Sequence, residues 1–387
     1  MAKNDQKPAI RFQGFTDPWE QRKVTDMFKI TRGYVLAAPL TSEQKSDEMP
    51  YPVYSSQTKD QGLMGYYKEY LYEDAITWTT DGANAGTVNY RAGKFYCTNV
   101  CGVLLVDKVV PNQMIAEALN NVAKGHVSYV GNPKLMNNVM AEIEISLPSS
   151  AEERDRITEF FSEVDDLITL HQRKYDKLLS IKKSMLEKMF PRDGSKFPEI
   201  RFSGFTDPWE QRKLGHVFVE YSEKGHPELP ALTIIQGGGT VRRDESERSL
   251  QYDKASLVNY KMVNAEDFIV HLRSFEGGLE KATTLGIISP AYHTFHGEGT
   301  DSRFYYSYFR SKRFIEQDLK PHVYGIRDGR SIDIEGMKTI EIPWTSYTEQ
   351  QVIGNYIDTM DNLITLHQRK LEKLKNIKKS MLEKMFV

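Results

Sequence analysis

Cysteine is scarce in this chain, and the features that mark secreted and membrane proteins are missing. Only Cys97 and Cys101 occur among 387 residues, which argues against a disulfide scaffold and favours a reducing compartment, the cytoplasm. A C-x₃-C pair lacks the four ligands that zinc normally takes, so no metal site is predicted. Apolar runs long enough to span a membrane, about eighteen residues, are absent. The opening MAKNDQKPAIRF has no apolar core of a secretory signal.

An excess of charge of one sign is also missing. The 51 Lys and Arg residues nearly balance 53 Asp and Glu residues, for a formal net charge of −2. A chain of this kind is not a polycation that coats nucleic acid. Any DNA binding must therefore come from local patches or from a partner.

Motifs for catalysis are incomplete. The segment Gln236–Thr240, QGGGT, lacks the Gly-Lys-Ser/Thr of a phosphate-binding loop. Ser289–Tyr292, SPAY, lacks the second proline of the Ser/Asn/Asp-Pro-Pro-Tyr/Phe signature of amino-group DNA methyltransferases. No catalytic residue is therefore predicted in this chain.

Two stretches of the chain occur twice. Residues 165–190 return at 361–386, with 21 of 26 positions identical at an offset of 196. Residues 8–23 return at 198–213, with 14 of 16 identical. Between the copies lie two segments, 24–148 and 214–345, that barely resemble each other. The chain is thus two half-molecules with common ends and private middles.

The longer repeat predicts two long helices. Ser150 with Glu153, and Ser346 with Glu349, fit capping boxes, in which the serine accepts a backbone N–H and the glutamate reaches back. About forty residues follow without Gly or Pro before Pro191, enough for a rod of roughly 60 Å. Apolar steps of three and four form a coiled-coil seam that should pack the two helices together. The seam residues are Phe161, Val164, Ile168, Leu178 and Met185, then Ile357, Met360, Ile364, Leu374 and Met381.

The private middles predict mixed α and β structure. Short strands over 51–54, 75–78 and 100–106 alternate with Gly and Asn turns, and residues 111–123 have helical spacing. The shorter repeat contains Asp-Pro-Trp-Glu, which predicts a turn opening a short helix with Pro18 in its first position.

Polar loops beside these strands carry groups able to contact base edges and phosphates. An ordinary polar turn is the alternative for each loop. The candidate residues are Gln57, Thr80, Asn84, Arg91 and Asn99 in the first middle, and Gln236, Arg242, Arg273, Ser274, Tyr292 and Arg310 in the second.

Copied PWEQRK segments, LITLHQRK and KKSMLEKMF helices, and two unlike middles together resemble the specificity subunit of a Type I restriction–modification enzyme. The resemblance covers essentially the whole chain. It implies an α+β protein with two mixed α/β target recognition domains, separated by two long antiparallel coiled-coil helices in a pseudo-two-fold internal repeat. The expected segments are 1–23 and 192–213 (repeated), 24–148 and 214–345 (recognition domains), and 149–191 and 346–387 (spacer helices).

The resemblance also implies function and partners. Each recognition domain would contact one half of a split, asymmetric DNA target in the double helix. Two modification subunits would bind S-adenosylmethionine and methylate adenine N6, and two restriction subunits would use ATP and Mg for translocation and cleavage. This chain would bind no cofactor itself, and no membrane contact is expected.

Two other functions fit the sequence less well. A coiled-coil adaptor whose middles bind proteins would show no DNA sequence preference. An enzyme with its own methyltransferase or nuclease site would turn over substrate without partners.

Overall fold

The computed structural model describes residues 8–57, 59–192, 194–245, 254–325 and 331–386. The chain forms two compact units. Unit 1 comprises residues 1–172 and 369–387, and unit 2 comprises residues 173–368. Each unit therefore combines one private middle with parts of both long helices.

Unit 1 is built around a six-stranded sheet. Its elements are β1 (Trp19–Lys23), α1 (Val24–Met27), β2 (Phe28–Arg32), β3 (Tyr51–Tyr54), β4 (Leu63–Tyr67), β5 (Tyr72–Thr79), β6 (Val88–Cys97), β7 (Cys101–Val106), α2 (Gln113–Ala123), α3 (Asn137–Glu142) and β8 (Glu144–Pro148). The sheet order is β2-β7-β5-β6-β3-β4, with β3 and β6 parallel and the other pairs antiparallel. The predicted strands at 51–54, 75–78 and 100–106 and the helix ending at Ala123 are confirmed.

Unit 2 contains smaller sheets. Its elements are β9 (Glu210–Lys213), α5 (Leu214–Val217), β10 (Phe218–Tyr221), β11 (Leu232–Ile235), β12 (Gly239–Arg242), β13 (Lys261–Val263), β14 (Phe268–Val270), α6 (Ser274–Gly277), β15 (Glu280–Lys281), β16 (Gly286–Ile288), β17 (His293–Gly297), α7 (Ser302–Phe309), β18 (Val323–Tyr324), β19 (Ser331–Ile332), α8 (Ile334–Lys338) and β20 (Glu341–Trp344). The largest sheet has the order β10-β17-β14-β15. Its core is aromatic, because α7 buries Phe304, Tyr305, Tyr308 and Phe309.

The shorter repeat forms the same frame in both units. β1 pairs antiparallel with β8, the strand that precedes the first long helix, and β9 pairs antiparallel with β20 before the second. The predicted short helix at Pro18 is wrong, since residues 19–23 are extended. The local preference for a turn and helix does not decide the structure here, because the backbone N–H and C=O groups of β1 hydrogen-bond to β8, far along the chain.

The predicted long helices are confirmed as α4 (Ala151–Lys188) and α9 (Tyr347–Met385). Within unit 1 they run antiparallel: the Phe161 ring stacks on Phe386 at 6.0 Å, and Lys378 bonds Asp165 further along. Within unit 2, Lys182 of α4 bonds Asp361 of α9, and Phe190, just beyond the end of α4, shares a core cluster with Ile357 of α9. All ten seam residues are buried or half-buried.

The helix N-termini depart from the predicted capping boxes. Ser150 Oγ accepts the Glu153 N–H at 3.4 Å, and Ser346 Oγ accepts the Glu349 N–H at 3.3 Å, as expected. The glutamate side chains do not reach back to the caps, however. They are held by an arginine and a tryptophan of the shorter repeat, because a buried carboxylate needs a cation more than a neutral amide.

These contacts form the same buried triad in each unit. In unit 1, Arg11 donates two bonds to the fully buried Glu153 at 2.6 and 2.7 Å, and Trp19 Nε1 lies 3.4 Å from its Oε1. In unit 2, Arg201 donates to Glu349 at 2.7 and 2.8 Å, and Trp209 Nε1 at 3.1 Å. The copied segment and the copied helix are therefore tied together by the same three residue types.

The long helices also repeat a lysine–aspartate pair, with one difference. Lys378 bonds Asp165 at 2.8 Å and also Glu117 of α2 at 2.5 Å, so it joins the private middle of unit 1 to the helices. Lys182, its repeat counterpart, pairs with Asp361, which is about half exposed. Burial lowers the pKa of Lys378, but the attraction of Glu117 and the bond to Asp165 outweigh it, so the pKa is raised overall.

Substituting these two lysines should have unequal effects. Lys378→Met leaves the buried Glu117 without its cation and should destabilise unit 1 by about 1–3 kcal/mol. Lys182→Met removes an exposed pair and should change the free energy of unfolding by less than about 1 kcal/mol. Urea unfolding of both variants tests this, and equal losses would contradict it. Because the folded-state pKa of Lys378 is raised, its contribution is complete below the unfolded pKa and disappears as pH rises through the folded value.

None of the helices in the described ranges is long and apolar enough to cross a membrane.

Candidate nucleic-acid interface

In unit 1, an ordered polar loop joins β3 to β4. Its described residues are 55–57 and 59–62, and the Ser55 N–H donates to Gly62 O at 2.8 Å. Asp60 and Gln61 both have left-handed backbone, with φ of 48° and 53°. Non-glycine residues in this region carry strain, and strained loops concentrate at binding sites. This segment is called the first recognition loop below.

The buried side chain of Arg91, in β6, contacts the backbone of the first recognition loop. Its guanidinium lies 3.7 Å from the centre of the Tyr54 ring, Nε donates to Thr77 Oγ1 at 3.1 Å, and Nη2 donates to Gln61 O at 2.7 Å. Burial lowers the pKa of Arg91, but arginine remains protonated at neutral pH. With 5% of its surface exposed, Arg91 positions the loop instead of facing solvent.

Other predicted residues of the first middle surround the same loop. Gln57 is exposed on it, with its amide Nε2 donating to Leu63 O. Asn84 Nδ2 donates to Ser56 O at 2.8 Å. Asn99 is exposed beside Thr98, whose hydroxyl donates to Ser55 Oγ at 2.9 Å. Thr80, in contrast, is buried and donates to Asp81 Oδ2 at 2.7 Å.

In unit 2, the tip of the β11–β12 hairpin is the corresponding exposed feature. Gln236, Gly237 and Gly238 form the tip, called the second recognition loop below. Glu280 of β15 is fully buried and accepts the N–H groups of Gly237 at 2.7 Å and Gly239 at 3.1 Å. A buried carboxylate thus fixes the backbone of this loop.

Tyr306 and Arg310 complete the anchor. The Tyr306 hydroxyl donates to Glu280 Oε2 at 2.7 Å, and Arg310 Nη1 lies 3.3 Å from Oε1. Burial and the neighbouring carboxylate raise the pKa of Tyr306 to about 12, so it stays a phenol donor. The Arg310 guanidinium lies directly over Gly237, where a Cβ would sit 2.9 Å from Nη2. The left-handed backbone of Gly237, with φ of 86°, favours glycine at this point of the loop.

The second recognition loop also packs on α6. A Cβ at Gly277 would lie 2.3 Å from the Gln236 amide nitrogen. Ser274, which begins α6, is fully buried, and its hydroxyl accepts the His271 N–H at 2.9 Å. Arg273 precedes it and is exposed. The structure therefore gathers Gln236, Ser274 and Arg310 around one loop, with Arg273 at its side.

Two predicted residues lie elsewhere in unit 2. Arg242 is exposed at the other end of β12, where its Nη2 pairs with Asp244 at 2.8 Å. Tyr292 is half-buried against a core cluster containing Leu232 and Ile269, with its ring 6.1 Å from that of His271.

Two further features of the structure were not predicted from the sequence. The first is the buried Glu280, for which the only sequence signal is a carboxylate close to the apolar residues Leu279 and Ala282. A tight turn closed by two backbone bonds between Ser128 and Lys134 exposes 72% of Tyr129 and 93% of Val130. The Gly131 backbone in this turn is left-handed, with φ of 81°. A Tyr-Val-Gly run flanked by Ser and Pro was the only available signal.

Both loops present glutamine side chains on a backbone fixed by a buried charge. A glutamine amide can bond the N6 and N7 positions of adenine in the major groove at once.

Among the described residues, no group of three or more His, Cys, Asp or Glu side chains could hold a metal ion. Burial raises the pKa of the Cys101 thiol to about 11, so it is protonated at neutral pH.

Two loop-bearing units on copied helices define a two-domain recognition protein, and comparisons with known proteins identify its family. A protein-family model described as "Type I restriction modification DNA specificity domain" matches residues 16–180 of this chain. A Mycoplasma pneumoniae protein described as the N-terminus of a type I specificity subunit is 42% identical over 131 residues, which cover 33% of this chain and 68% of that protein. This chain belongs to the family of type I restriction–modification specificity subunits.

Two other likenesses extend over nearly the whole chain. The MjaVIII specificity subunit of Methanocaldococcus jannaschii is 23% identical over 394 residues, covering 95% of this chain and 91% of that protein. The crystal structure of a type I S subunit from M. genitalium covers 99% of both chains with a TM-score of 0.65 and 13% identity, which shows the shared fold. Two further M. pneumoniae relatives, 34% and 36% identical, are matched over only 47% and 39% of their own lengths.

Proposed function

We propose that this chain recognises a bipartite, asymmetric DNA target, with one half-site contacted by each recognition loop. The observation that carries the proposal is the pair of exposed glutamines, Gln57 and Gln236, on loops anchored by the buried charges of Arg91 and Glu280. A pre-ordered loop loses little entropy on binding, which favours discrimination between bases. Since the two loops differ in sequence and anchor, the two half-sites should differ as well.

The chemistry belongs to partner subunits in this proposal. Two modification subunits would bring S-adenosylmethionine and methylate adenine N6, and two restriction subunits would bring ATP and Mg for translocation and cleavage. To reach an adenine in a duplex, the modification subunit would have to flip that base. This chain contributes no catalytic group and works in the cytoplasm, beside the DNA.

Leucines copied on both long helices support the binding of two copies of the same partner subunit. Leu167 and Leu170 in unit 1 return as Leu363 and Leu366 in unit 2, and all four are between 38% and 45% exposed. Exposed leucines repeated at helical spacing suit a helix of a partner. The near-neutral charge of the chain fits the same view, because the modification subunits would share the phosphate contacts.

The experiment that tests the proposal maps methylated adenines. Cells with this chain and its modification subunit should carry N6-methyladenine in a split, non-palindromic motif, and cells lacking this chain should not. Single-molecule sequencing of genomic DNA provides the measurement. A continuous palindrome, or no adenine methylation with the purified complex, would overturn the proposal.

Replacing one middle should change one half-site. We expect a chimaera with residues 24–148 from a relative of different specificity to keep one half of the motif and acquire a new other half, because each loop contacts its own half-site. The same mapping experiment measures this, with a matched chimaera at residues 214–345 as control. Two half-sites changed by a single replacement would refute the one-loop, one-half-site assignment.

A further inference from the structure

Unit 1 contains an open groove with a strongly acidic wall. Five exposed carboxylates line one face of α4, and together they define the acidic groove: Glu152, Asp155, Glu159, Glu163 and Asp166. Phe12, Phe15, Val110 and Pro111 form the apolar side, and the groove encloses about 1180 Å³. Arg156 pairs with Glu159 at 3.0 Å, and within the described ranges the other four carboxylates have no ion-pair partner.

The same helix face carries one carboxylate in unit 2, that of Asp358 at the position of Ser162, and it lies 3.5 Å from the Arg303 guanidinium. At the repeat offset of 196, the five carboxylates are replaced by Thr348, Gln351, Asn355, Thr359 and Asn362. The buried residues of this stretch are kept, since Ile157 returns as Ile353 and Glu153 as Glu349. Packing therefore does not explain the charges. They are private to unit 1, although they lie on a copied element.

The acidic groove continues into the leucines that both units share. Leu167 follows Glu163 by four positions and Leu170 follows Asp166 by four, which places the leucines on the same helix face as these carboxylates. Leu167 is 44% exposed and Leu170 is 45% exposed. Carboxylates beside apolar side chains on one exposed face match a partner segment that carries both cations and apolar residues.

We propose that the acidic groove docks a cationic, amphipathic segment of the modification subunit, an inference that rests on the proposed function. DNA is not the occupant, because five carboxylates would repel its phosphates. The groove is also larger than the pockets of about 300–1,000 Å³ typical for small molecules. The partner's basic residues meet the carboxylates while its apolar residues meet Phe12, Phe15 and the leucines.

This docking makes the two partner sites unequal. Unit 1 offers the leucine pair and five carboxylates, whereas unit 2 offers its leucine pair beside neutral side chains and the single carboxylate of Asp358, which pairs with Arg303. Attraction between exposed charges is screened by salt. The affinity of unit 1 for its modification subunit should therefore fall markedly as salt is raised, whereas the affinity of unit 2 should change little.

The test exchanges the charges between the copies. The first variant carries Glu152→Thr, Asp155→Gln, Glu159→Asn, Glu163→Thr and Asp166→Asn. The reciprocal variant carries Thr348→Glu, Gln351→Asp, Asn355→Glu, Thr359→Glu and Asn362→Asp. Titration calorimetry and native mass spectrometry measure the binding of one and two modification subunits between about 50 and 500 mM salt, about a threefold change in Debye length.

We expect the first variant to lose about tenfold or more in affinity for one equivalent at low salt, with no loss for the other. Its unfolding transition should not move, because the altered side chains are exposed. The reciprocal variant should gain a second salt-sensitive equivalent. Unchanged affinity and salt dependence in both variants would overturn the docking, as would a gain in DNA binding with no effect on the modification subunit. Bipartite methylation by the parent complex would still support the proposed function in either case.

Discussion

Glu153→Gln should destabilise unit 1 by about 3–5 kcal/mol, the usual penalty for breaking a buried ion pair by removing one partner. The carboxylate is fully buried and accepts two bonds from Arg11, whose side chain is 13% exposed. The substitution leaves the Arg11 guanidinium without a counter-charge where water reaches it poorly. It also weakens the tie between the copied N-terminal segment and α4.

Hydrogen exchange followed by mass spectrometry should locate this effect. Exchange should rise in β1, β8 and the start of α4, since Glu153 joins these elements. Glu349→Gln is the matched variant and should have a similar effect on β9, β20 and the start of α9, because Arg201 and Trp209 repeat the contacts. Glu152→Gln alters an exposed neighbour and should change stability by less than about 0.5 kcal/mol. A Glu153→Gln protein as stable as the parent would show that the triad is not needed for folding.

Arg91→Met should separate recognition from stability. Methionine preserves apolar contact with Tyr54 and removes a buried charge whose hydrogen bonds go to the neutral oxygens Thr77 Oγ1 and Gln61 O. The substitution loses the hydrogen bonds of the guanidinium, but it also removes the free-energy cost of burying a charge. The free energy of unfolding should therefore change by less than about 2 kcal/mol. The first recognition loop loses its bond from Arg91 to Gln61 O, however. Discrimination at the first half-site should fall about tenfold or more, the worth of one good bidentate base contact.

Glu280→Gln is the counterpart in unit 2. Glutamine has one acceptor oxygen where the carboxylate has two, so it cannot accept all the bonds now made by Gly237, Gly239 and Tyr306. The second half-site should lose discrimination while the first is unchanged. Methylation rates on oligonucleotides with single-base changes in either half measure both variants. If each variant affected both halves equally, or neither half, the assignment of the loops to separate half-sites would be wrong.

The sequence by itself determined the repeat, the two long helices and the class of protein. Periodicity over forty residues without Gly or Pro leaves α4 little choice, because each turn is stabilised by neighbours three and four positions away. Short strands such as β3 and β5 followed from alternation and turn residues. Copied ends with unlike middles by themselves indicate the specificity-subunit family.

Only the tertiary structure decided what the polar groups do. Glu153 fits a capping box locally, yet Arg11 lies 142 positions earlier and binds it. Arg91 and Gln57 resemble each other in sequence as polar loop candidates, but one is buried beneath the loop and the other is exposed on it. Strand β1 forms where a helix was predicted because its partner β8 lies at the far end of the private middle, more than a hundred residues away along the chain. Local spacing sets periodic elements, whereas the role of a charge depends on which distant group folding brings within about 3 Å of it.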